Sequence, residues 1–464
     1  MDPELQAYAA NFIESTRDFI FVRTADNVII LRPNRAHHLN ATATEMLHAL
    51  YSQAEVDVAA VVRQVAARYS EPEDQVAADL SKLLRSVSLL LQDRVDLAPA
   101  VRTMRFGSHE HRLPVLSEIA LTYRCNNRCF FCYASAPDRG REVPEMTTAE
   151  VKAVLDKIRH QAQVPMVSFT GGEPTLRADL PELIAHAKSL GMWANLITNG
   201  IRCADPDFVA RLAEAGLDSA QVSLEAGDAA THDAVVDHPG AFEKTVAGVR
   251  ALRAAGIRSH TNTTINARNR RALPALIDFV AQELGSEYLS MNMVIRTGGA
   301  VGVPDISYSE IGELALSLKA HAEEQGVRFV WYSPVPYCLF NPAAHGLGGQ
   351  SCAAADGLLS VAPDGDVLPC SSFERGIGNL LGEGFETIWN RRSARYWRDK
   401  EFLPPGCREC DLAEMCCAAC PLYWDERGDL AEIAPFMRPA LAWEWLGWRL
   451  KRRFVGRVKG VGIG

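Results

Sequence analysis

The stretch RCNNRCFFCYA (124–134) carries Cys125, Cys129 and Cys132, three thiols within eight residues, with gaps of three and then two. Thiolates are metal ligands and nucleophiles, so thiols at this density point to a shared inorganic group. A closed structural zinc site takes four ligands, usually from paired C-x-x-C elements, and here no partner pair or histidine lies nearby. A [4Fe–4S] cluster that only carries electrons also takes four cysteines, so three would leave one iron open to an outside ligand. Zinc or an inert structural role is the plain alternative. A second group lies downstream: Cys338, Cys352, Gly365 and Cys370, then CRECDLAEMCCAAC, where Cys407, Cys410, Cys416 and Cys420 are separated by two, five and three residues. Two C-x-x-C pairs would suggest a zinc ribbon, but this run is denser and its gaps differ. Cys203, after TNGIR, reads as an ordinary thiol.

Apolar periodicity shows the elements that must position these groups. From about 115 to 330 the pattern is strand, loop, helix, repeated, with strands at SEIALTY, PMVSFTGG, WANLITNG, SAQVSLEA, RSHTNTTI and YLSMNMVI. Six β/α units in sequence imply an α/β fold with a parallel sheet, either a partial barrel or a doubly wound sheet. Ligands belong at the carboxyl ends of such strands. There lie the cysteine triplet, TGGEP, TNG and SLEAGD. Upstream, DFIFVRTADNVIIL (18–31) reads as two strands joined at a TADN turn. Three amphipathic helices follow, the first with Thr42 or Thr44 near its cap and the third with Pro72 at its start. Together they make a winged-helix-sized α+β module. After 335 the chain turns Cys-, Gly- and Pro-rich with little periodicity, where metal ligation commonly replaces an apolar core.

At 464 residues the chain should form several domains. Its net charge of −9 argues against a general nucleic-acid binder and for small molecules or peptides as partners. No basic, then apolar, N-terminal pattern reads as a signal peptide, and no apolar run of about 18 residues reads as a spanning helix. A cytoplasmic location is expected, without membrane contact. Twelve cysteines in a reducing compartment point to metal or redox chemistry rather than disulfides.

C-x-x-x-C-x-x-C after the first strand of a β/α array resembles the radical S-adenosylmethionine (SAM) enzymes. The resemblance covers about 115–330 and implies a partial (β/α)6 TIM-like barrel whose Cys125, Cys129 and Cys132 hold a [4Fe–4S] cluster, with SAM chelating the open iron. It also implies that Gly171, Gly172, Glu173 and Pro174 of GGEP meet the methionyl amino group. Glycines would let the backbone approach the ligand and Glu173 would complement an ammonium. Phe131 matches a position near adenine, and Thr198, Asn199, Ser223 and Glu225 match polar contacts to SAM, although many relatives have Asp at the last. The chemistry implied is reductive SAM cleavage to a 5′-deoxyadenosyl radical that abstracts a substrate hydrogen. The downstream cysteines resemble the SPASM extension of peptide-modifying members, which holds up to two auxiliary Fe–S clusters. That resemblance groups Cys407, Cys410 and Cys416 on one cluster and Cys352, Cys370 and Cys420 on the other, with Cys338 as fourth ligand of the latter. The usual last cysteine is missing after Cys420. The first of these clusters would be open, take Cys417 or a carboxylate such as Asp425, or not form.

The N-terminal order of strands and helices, with NATATEMLHAL, resembles PqqD-like peptide chaperones, which capture a leader peptide as an added strand. A regulatory or dimerising domain is the alternative. The expected organisation is 1–95 peptide recognition, 96–114 linker, 115–330 radical SAM core, 331–430 SPASM domain and 431–464 a basic, Trp-rich tail packed as a terminal helix. The leading expectation is a maturase that installs a crosslink or other carbon-centred change in a ribosomally made precursor peptide, fed by an external donor such as flavodoxin or ferredoxin. Radical chemistry on a folded protein or small metabolite, and a non-enzymatic Fe–S or zinc scaffold, stand beside it.

Overall fold

The computed structural model describes residues 2–32, 35–92, 100–103, 112–136, 138–303 and 306–455. The chain divides into two compact units, Met1–Phe106 with Glu110–Val115, and Gly107–His109 with Leu116–Gly464. No helix among the described residues is long and apolar enough to cross a membrane.

The first unit begins with α1 (Pro3–Thr16), capped by Asp2, an element absent from the sequence reading. Strands β1 (Ile20–Arg23), β2 (Val28–Leu31), β3 (Arg35–Leu39) and β4 (Val101–Thr103) form an antiparallel sheet in that order. The expected 96–114 linker therefore contributes an edge strand, Val101 pairing with Leu39. Between β3 and β4 run α2 (Ala41–Ser52), α3 (Val58–Tyr69) and α4 (Glu73–Leu91). The cap of α2 is Asn40, whose Oδ1 accepts from Ala43 N–H at 2.8 Å, rather than Thr42 or Thr44. Ile13, Ile29, Leu31, Leu47, Val62, Leu80 and Leu84 close one apolar core. The TADN turn does more than reverse the chain. Buried Arg23 pairs with Asp26 at 2.7 Å and donates to the Pro114 carbonyl at 2.6 Å, while Asp26 accepts from Arg112 N–H at 3.0 Å, so one ion pair ties segment 112–114 to the hairpin.

The second unit is built on one ten-stranded sheet. In chain order its first elements are β5 (Leu116–Thr122), α5 (Thr148–His160), β6 (Met166–Gly171), α6 (Leu180–Ser189), β7 (Trp193–Thr198), α7 (Pro206–Glu214) and β8 (Ser219–Ser223). Then come α8 (Ala229–Val236), α9 (Ala241–Ala254), β9 (Arg258–Ile265), α10 (Leu273–Gln282), β10 (Tyr288–Met293), α11 (Tyr308–Glu324) and β11 (Arg328–Trp331). Strands β5 to β11 are parallel and neighbour one another in sequence order. Within β5 to β11 the order never reverses, so that run has no topological switch point, and crossovers of one hand put its helices on one face. That is the partial barrel, not the doubly wound alternative. Helix starts follow local chemistry: Thr147 and Glu150 form a capping box on α5.

The Cys-rich segment joins this sheet instead of standing apart. Strand β12 (Leu358–Val361) pairs parallel with β5, Leu358 opposite Leu116, and continues antiparallel into β13 (Asp366–Leu368) and β14 (Gly378–Asn379). Gly365 sits in the β12–β13 turn at φ 85°, a left-handed backbone suited to glycine. Short helices follow: α12 (Phe385–Trp389), α13 (Arg392–Arg398), α14 (Pro405–Arg408), α15 (Ala413–Cys416) and α16 (Pro421–Arg427). The last helix, α17 (Ala442–Val455), buries Trp448, whose Nε1 donates to the Phe402 carbonyl at 2.8 Å, while Trp443 stays exposed. Residues 115–330 and 331–430, expected as separate domains, thus share one unit.

Candidate functional site

The loop after β5 is fixed at its start. Thr122 Oγ1 donates to Glu145 Oε1 at 2.5 Å, and Arg124 closes on the same carboxylate at 2.8 and 3.1 Å. Farther on, Cys132 N–H donates to the Cys129 carbonyl and Ser135 N–H to the Cys132 carbonyl, both at 3.1 Å, giving successive tight turns. Cys125, Cys129 and Cys132 come within electrostatic reach of one another, each half-buried and none in a disulfide. Burial, with Glu173 and Cys132 nearby, pushes the Cys125 thiol up to about 12; burial also raises Cys129 and Cys132. Such thiols stay protonated unless a metal takes the proton's place.

The glycines of GGEP serve the protein backbone. A Cβ on Gly171, whose φ is 135°, would stand 2.1 Å from the Thr122 carbonyl oxygen, and one on Gly172 would stand 2.4 Å from that of Arg124. This close approach lets Gly172 N–H donate to Thr122 at 2.7 Å and Glu173 N–H donate to Arg124 at 2.9 Å, stitching the end of β6 to the cysteine loop. Glu173 is 1% exposed. Its Oε1 accepts from Thr175 N–H at 3.1 Å, Thr175 Oγ1 at 2.6 Å and Thr198 Oγ1 at 2.7 Å, and its Oε2 accepts from Asn199 N–H at 2.8 Å. Burial raises its pKa, and the bonds it accepts oppose that rise. The carboxylate expected to meet an ammonium thus also ties the ends of β6 and β7 together. Buried Pro174 opens the short turn that follows.

Asn199 extends the tie, its Nδ2 donating to Asn126 Oδ1 at 2.7 Å inside the cysteine loop. Half-buried Ser223 ends β8, with Glu225 two residues beyond. Glu225 Oε2 accepts from Thr264 N–H at 3.0 Å at the end of β9, and its backbone N–H donates to His232 Nδ1 at 3.1 Å. Burial pushes Glu225 up to about 8 and His232 down to about 4. Phe131 is half-buried and packs edge-on against Phe130, the centroids 5.4 Å apart. Cys203 is buried in the turn after TNG, consistent with an ordinary thiol.

Several contributors were missed by reading the sequence. Gly299 N–H donates to the Cys132 carbonyl at 2.9 Å, and a Cβ on Gly298 would meet the Tyr133 carbonyl oxygen at 2.5 Å, so the loop after β10 clasps the cysteine loop. Paired glycines beyond a strand end were the available signal. His238 Nδ1–H donates to the Asn126 carbonyl at 2.8 Å, and Arg268 lies 4.0 Å over the Phe130 ring. Nothing in their local sequence marks His238, His232 or Arg268.

The family description Radical SAM superfamily matches residues 119–280, Iron-sulfur cluster-binding domain (SPASM) matches 352–411, and Coenzyme PQQ synthesis protein D (PqqD) matches 27–88. An AdoMet-dependent heme synthase of Oleidesulfovibrio alaskensis is 30% identical over 337 residues, covering 68% of this chain and 84% of that protein. The chain belongs to the radical SAM superfamily. A PqqA peptide cyclase of Xanthomonas campestris pv. campestris is 29% identical over 325 residues, covering 66% of this chain and 82% of that one. Streptococcus suis SuiB, solved bound to precursor peptide SuiA, shares the fold at a TM-score of 0.65 and 14% identity, over 88% of this chain and 95% of that one.

This radical SAM enzyme therefore uses SAM, a [4Fe–4S] cluster and auxiliary Fe–S clusters. The first loop fits that load: thiols held together, driven up in pKa by burial, with Asn127 N–H donating to Cys125 Sγ at 3.4 Å. Among the described residues no group of three or more Cys, His, Asp or Glu side chains is placed to hold a single metal ion.

The downstream cysteines sort into two groups. Cys352, Cys370 and Cys420 influence one another, and Tyr308 Oη accepts from Cys420 N–H at 3.2 Å. Lys400, 3% exposed, donates to the Cys352 carbonyl at 2.6 Å and pairs with buried Asp356 at 2.8 Å, placing a cation beside this group. Cys407, Cys410 and Cys416 form the other group, and the structure places Cys338 with them, not beside Cys352, Cys370 and Cys420 as the sequence suggested. Asp425, one of the carboxylates considered for this cluster, is instead paired with Arg452.

Proposed function

We propose that the enzyme matures a ribosomally made precursor peptide, its first unit binding the leader and its barrel installing a crosslink or other carbon-centred change. The observation that carries this reading is the PqqD-type unit. It has its own core and a four-stranded sheet with β1 and β4 at its edges, and an extended peptide adds to such an edge through backbone bonds. Likeness to the PqqA peptide cyclase supports it, as does the match to SuiB, whose coverage exceeds what the second unit alone can supply. When bound, SAM and its cluster supply a carbon radical that abstracts hydrogen. The chain's part is to hold the cysteine loop through Glu173, Asn199 and Gly299, to present Thr198, Asn199, Ser223 and Glu225 toward SAM, and to seal the strand ends from water. Phe131 stands in the same loop, toward adenine. Electrons come from an external donor such as flavodoxin or ferredoxin.

The test offers the anaerobically reconstituted full-length chain an extract of the source organism and identifies the short gene products it retains by mass spectrometry. A single retained peptide that loses two hydrogens on addition of SAM and reductant supports the crosslinking reading. The heme synthase likeness favours a second reading, a small-metabolite substrate with the first unit regulatory. SAM turnover stimulated by a small-molecule fraction, and not by any peptide, would establish that one.

A further inference from the structure

In this sequence no cysteine follows Cys420, yet Cys407, Cys410 and Cys416 need a fourth ligand to hold a fully coordinated [4Fe–4S] cluster. We infer that Cys338, upstream of the other three in the chain, supplies it. The inference deepens the auxiliary-cluster assignment and concerns this chain's own ligand set.

Three observations converge. First, the segment after β11 is shaped to present Cys338. Leu339 N–H and Phe340 N–H donate to the Pro336 carbonyl at 2.9 and 3.0 Å, closing a turn with Cys338 at its crest. Second, that turn is fastened to the cluster group itself: Tyr337 N–H, one residue before Cys338, donates to Cys416 Sγ at 3.2 Å. A backbone N–H aimed at sulfur is the contact that stabilises a thiolate bound to iron. Third, the remaining members are held close by their own backbone. Cys410 N–H donates to the Cys407 carbonyl at 3.2 Å, and Cys416 N–H donates to the Leu412 carbonyl at 2.8 Å.

The alternatives for the fourth position are engaged elsewhere. Asp425 is paired with Arg452. Cys417 is buried, donates toward Ser351 Oγ at 3.7 Å, and lies beside Lys400 and Cys352, in the neighbourhood of the other group. Cys338 by contrast is exposed at the surface with Cys410, so this cluster would form at the rim, enclosed by a ligand from each side of the Cys-rich segment. On ligating a cluster iron Cys338 would give up its thiol proton to solvent and form one Fe–S bond, with no change in oxidation state.

Thiol alkylation of the reconstituted full-length enzyme, read cysteine by cysteine by mass spectrometry, tests this. An exposed free thiol reacts readily and an iron-bound one does not. Cys338 should be protected in the iron-loaded enzyme and label severalfold faster once iron is stripped by a chelator. Cys338→Ser, a near-isosteric change at an exposed position, should raise labelling of Cys407, Cys410 and Cys416 severalfold and alter the auxiliary electron paramagnetic resonance spectrum. Labelling of Cys352, Cys370 and Cys420 should stay as in the parent. Cys338 that labels freely in the loaded parent overturns the inference. So does a Cys338→Ser enzyme in which Cys352, Cys370 and Cys420 become reactive, or in which labelling of Cys407, Cys410 and Cys416 is unchanged. Failure of the auxiliary-cluster assignment itself would look different, since all these thiols would label before and after chelation.

Discussion

Glu173→Gln separates a carboxylate that only greets SAM from one that also holds strand ends together. Gln can keep its carbonyl on Thr175 N–H, Thr175 Oγ1 and Thr198 Oγ1, but its amide then faces Asn199 N–H where Oε2 now accepts at 2.8 Å. Two donors meet in a buried place. Losing a bond to a charged acceptor costs about 1.5–3 kcal/mol, and the orphaned amide adds roughly 1–3. Relief of the desolvation that raises the Glu173 pKa offsets part of this, leaving about 2–4 kcal/mol. In a unit this large, about 2 °C per kcal/mol gives a fall in melting temperature of roughly 4–8 °C. The assay is thermal unfolding of metal-free protein, where neither cluster nor SAM contributes. Thr175→Val, which removes a single donor, should cost about 1 kcal/mol and couple to Glu173→Gln in a double-mutant cycle, because both touch the same carboxylate. A metal-free Glu173→Gln protein that melts with the parent, while its loaded form loses SAM affinity, would refute the strand-tying role.

Gly171→Ala drives a methyl into the Thr122 carbonyl at a left-handed backbone position, and roughly 2–5 kcal/mol of overpacking and strain should appear as lost iron in the first cluster site. Lys400→Met leaves Asp356 buried without its cation and should destabilise by about 3–5 kcal/mol in denaturant unfolding; Lys400→Met with Asp356→Leu should recover most of it. Burial holds His37, His232 and His260 near a pKa of about 4 in the fold, against 6.5 unfolded. The unfolded chain therefore binds protons first as pH falls. Stability should be full above 6.5, decline from there toward 4, and lose up to roughly 3 kcal/mol per histidine, measurable as a falling urea midpoint.

The core strands and the helices between them were legible because β/α repetition writes long, periodic signals, and the candidate site stood out because thiol spacing and GGEP carry chemistry in their order. What escaped depends on partners far away in sequence. RAHHL has no strand pattern, yet it becomes β3 because β2 and β4 offer it hydrogen bonds on both sides. Residues 101–103 looked like linker because a three-residue edge strand has no period to read. Cys338 was set with Cys352, Cys370 and Cys420 alongside the SPASM resemblance, whereas the Tyr337 bond to Cys416 fastens its turn to the other group. Local order predicts which residues can ligate; only the packing decides which ligate together.

The register between β12 and β5 bears on how the two halves of the chemistry cooperate. Val361 lies opposite Ile119, and Ser360 Oγ donates to Glu118 Oε1 at 2.5 Å, in the strand that leads directly into the cysteine loop. A parallel pairing cannot slip by one residue without turning every side chain to the other face. Cys370, just beyond β13, is therefore held at a fixed height relative to the strand that delivers Cys125. Arg296, beyond β10, adds a second tie by pairing with Glu426 on α16 at 3.1 Å, just past Cys420. Because β13 runs antiparallel to β12, Cys370 lies toward the start of β5, at the opposite end of that strand from the cysteine loop. Sheet register thereby fixes the separation between Cys370 and the first cysteine loop along the length of β5.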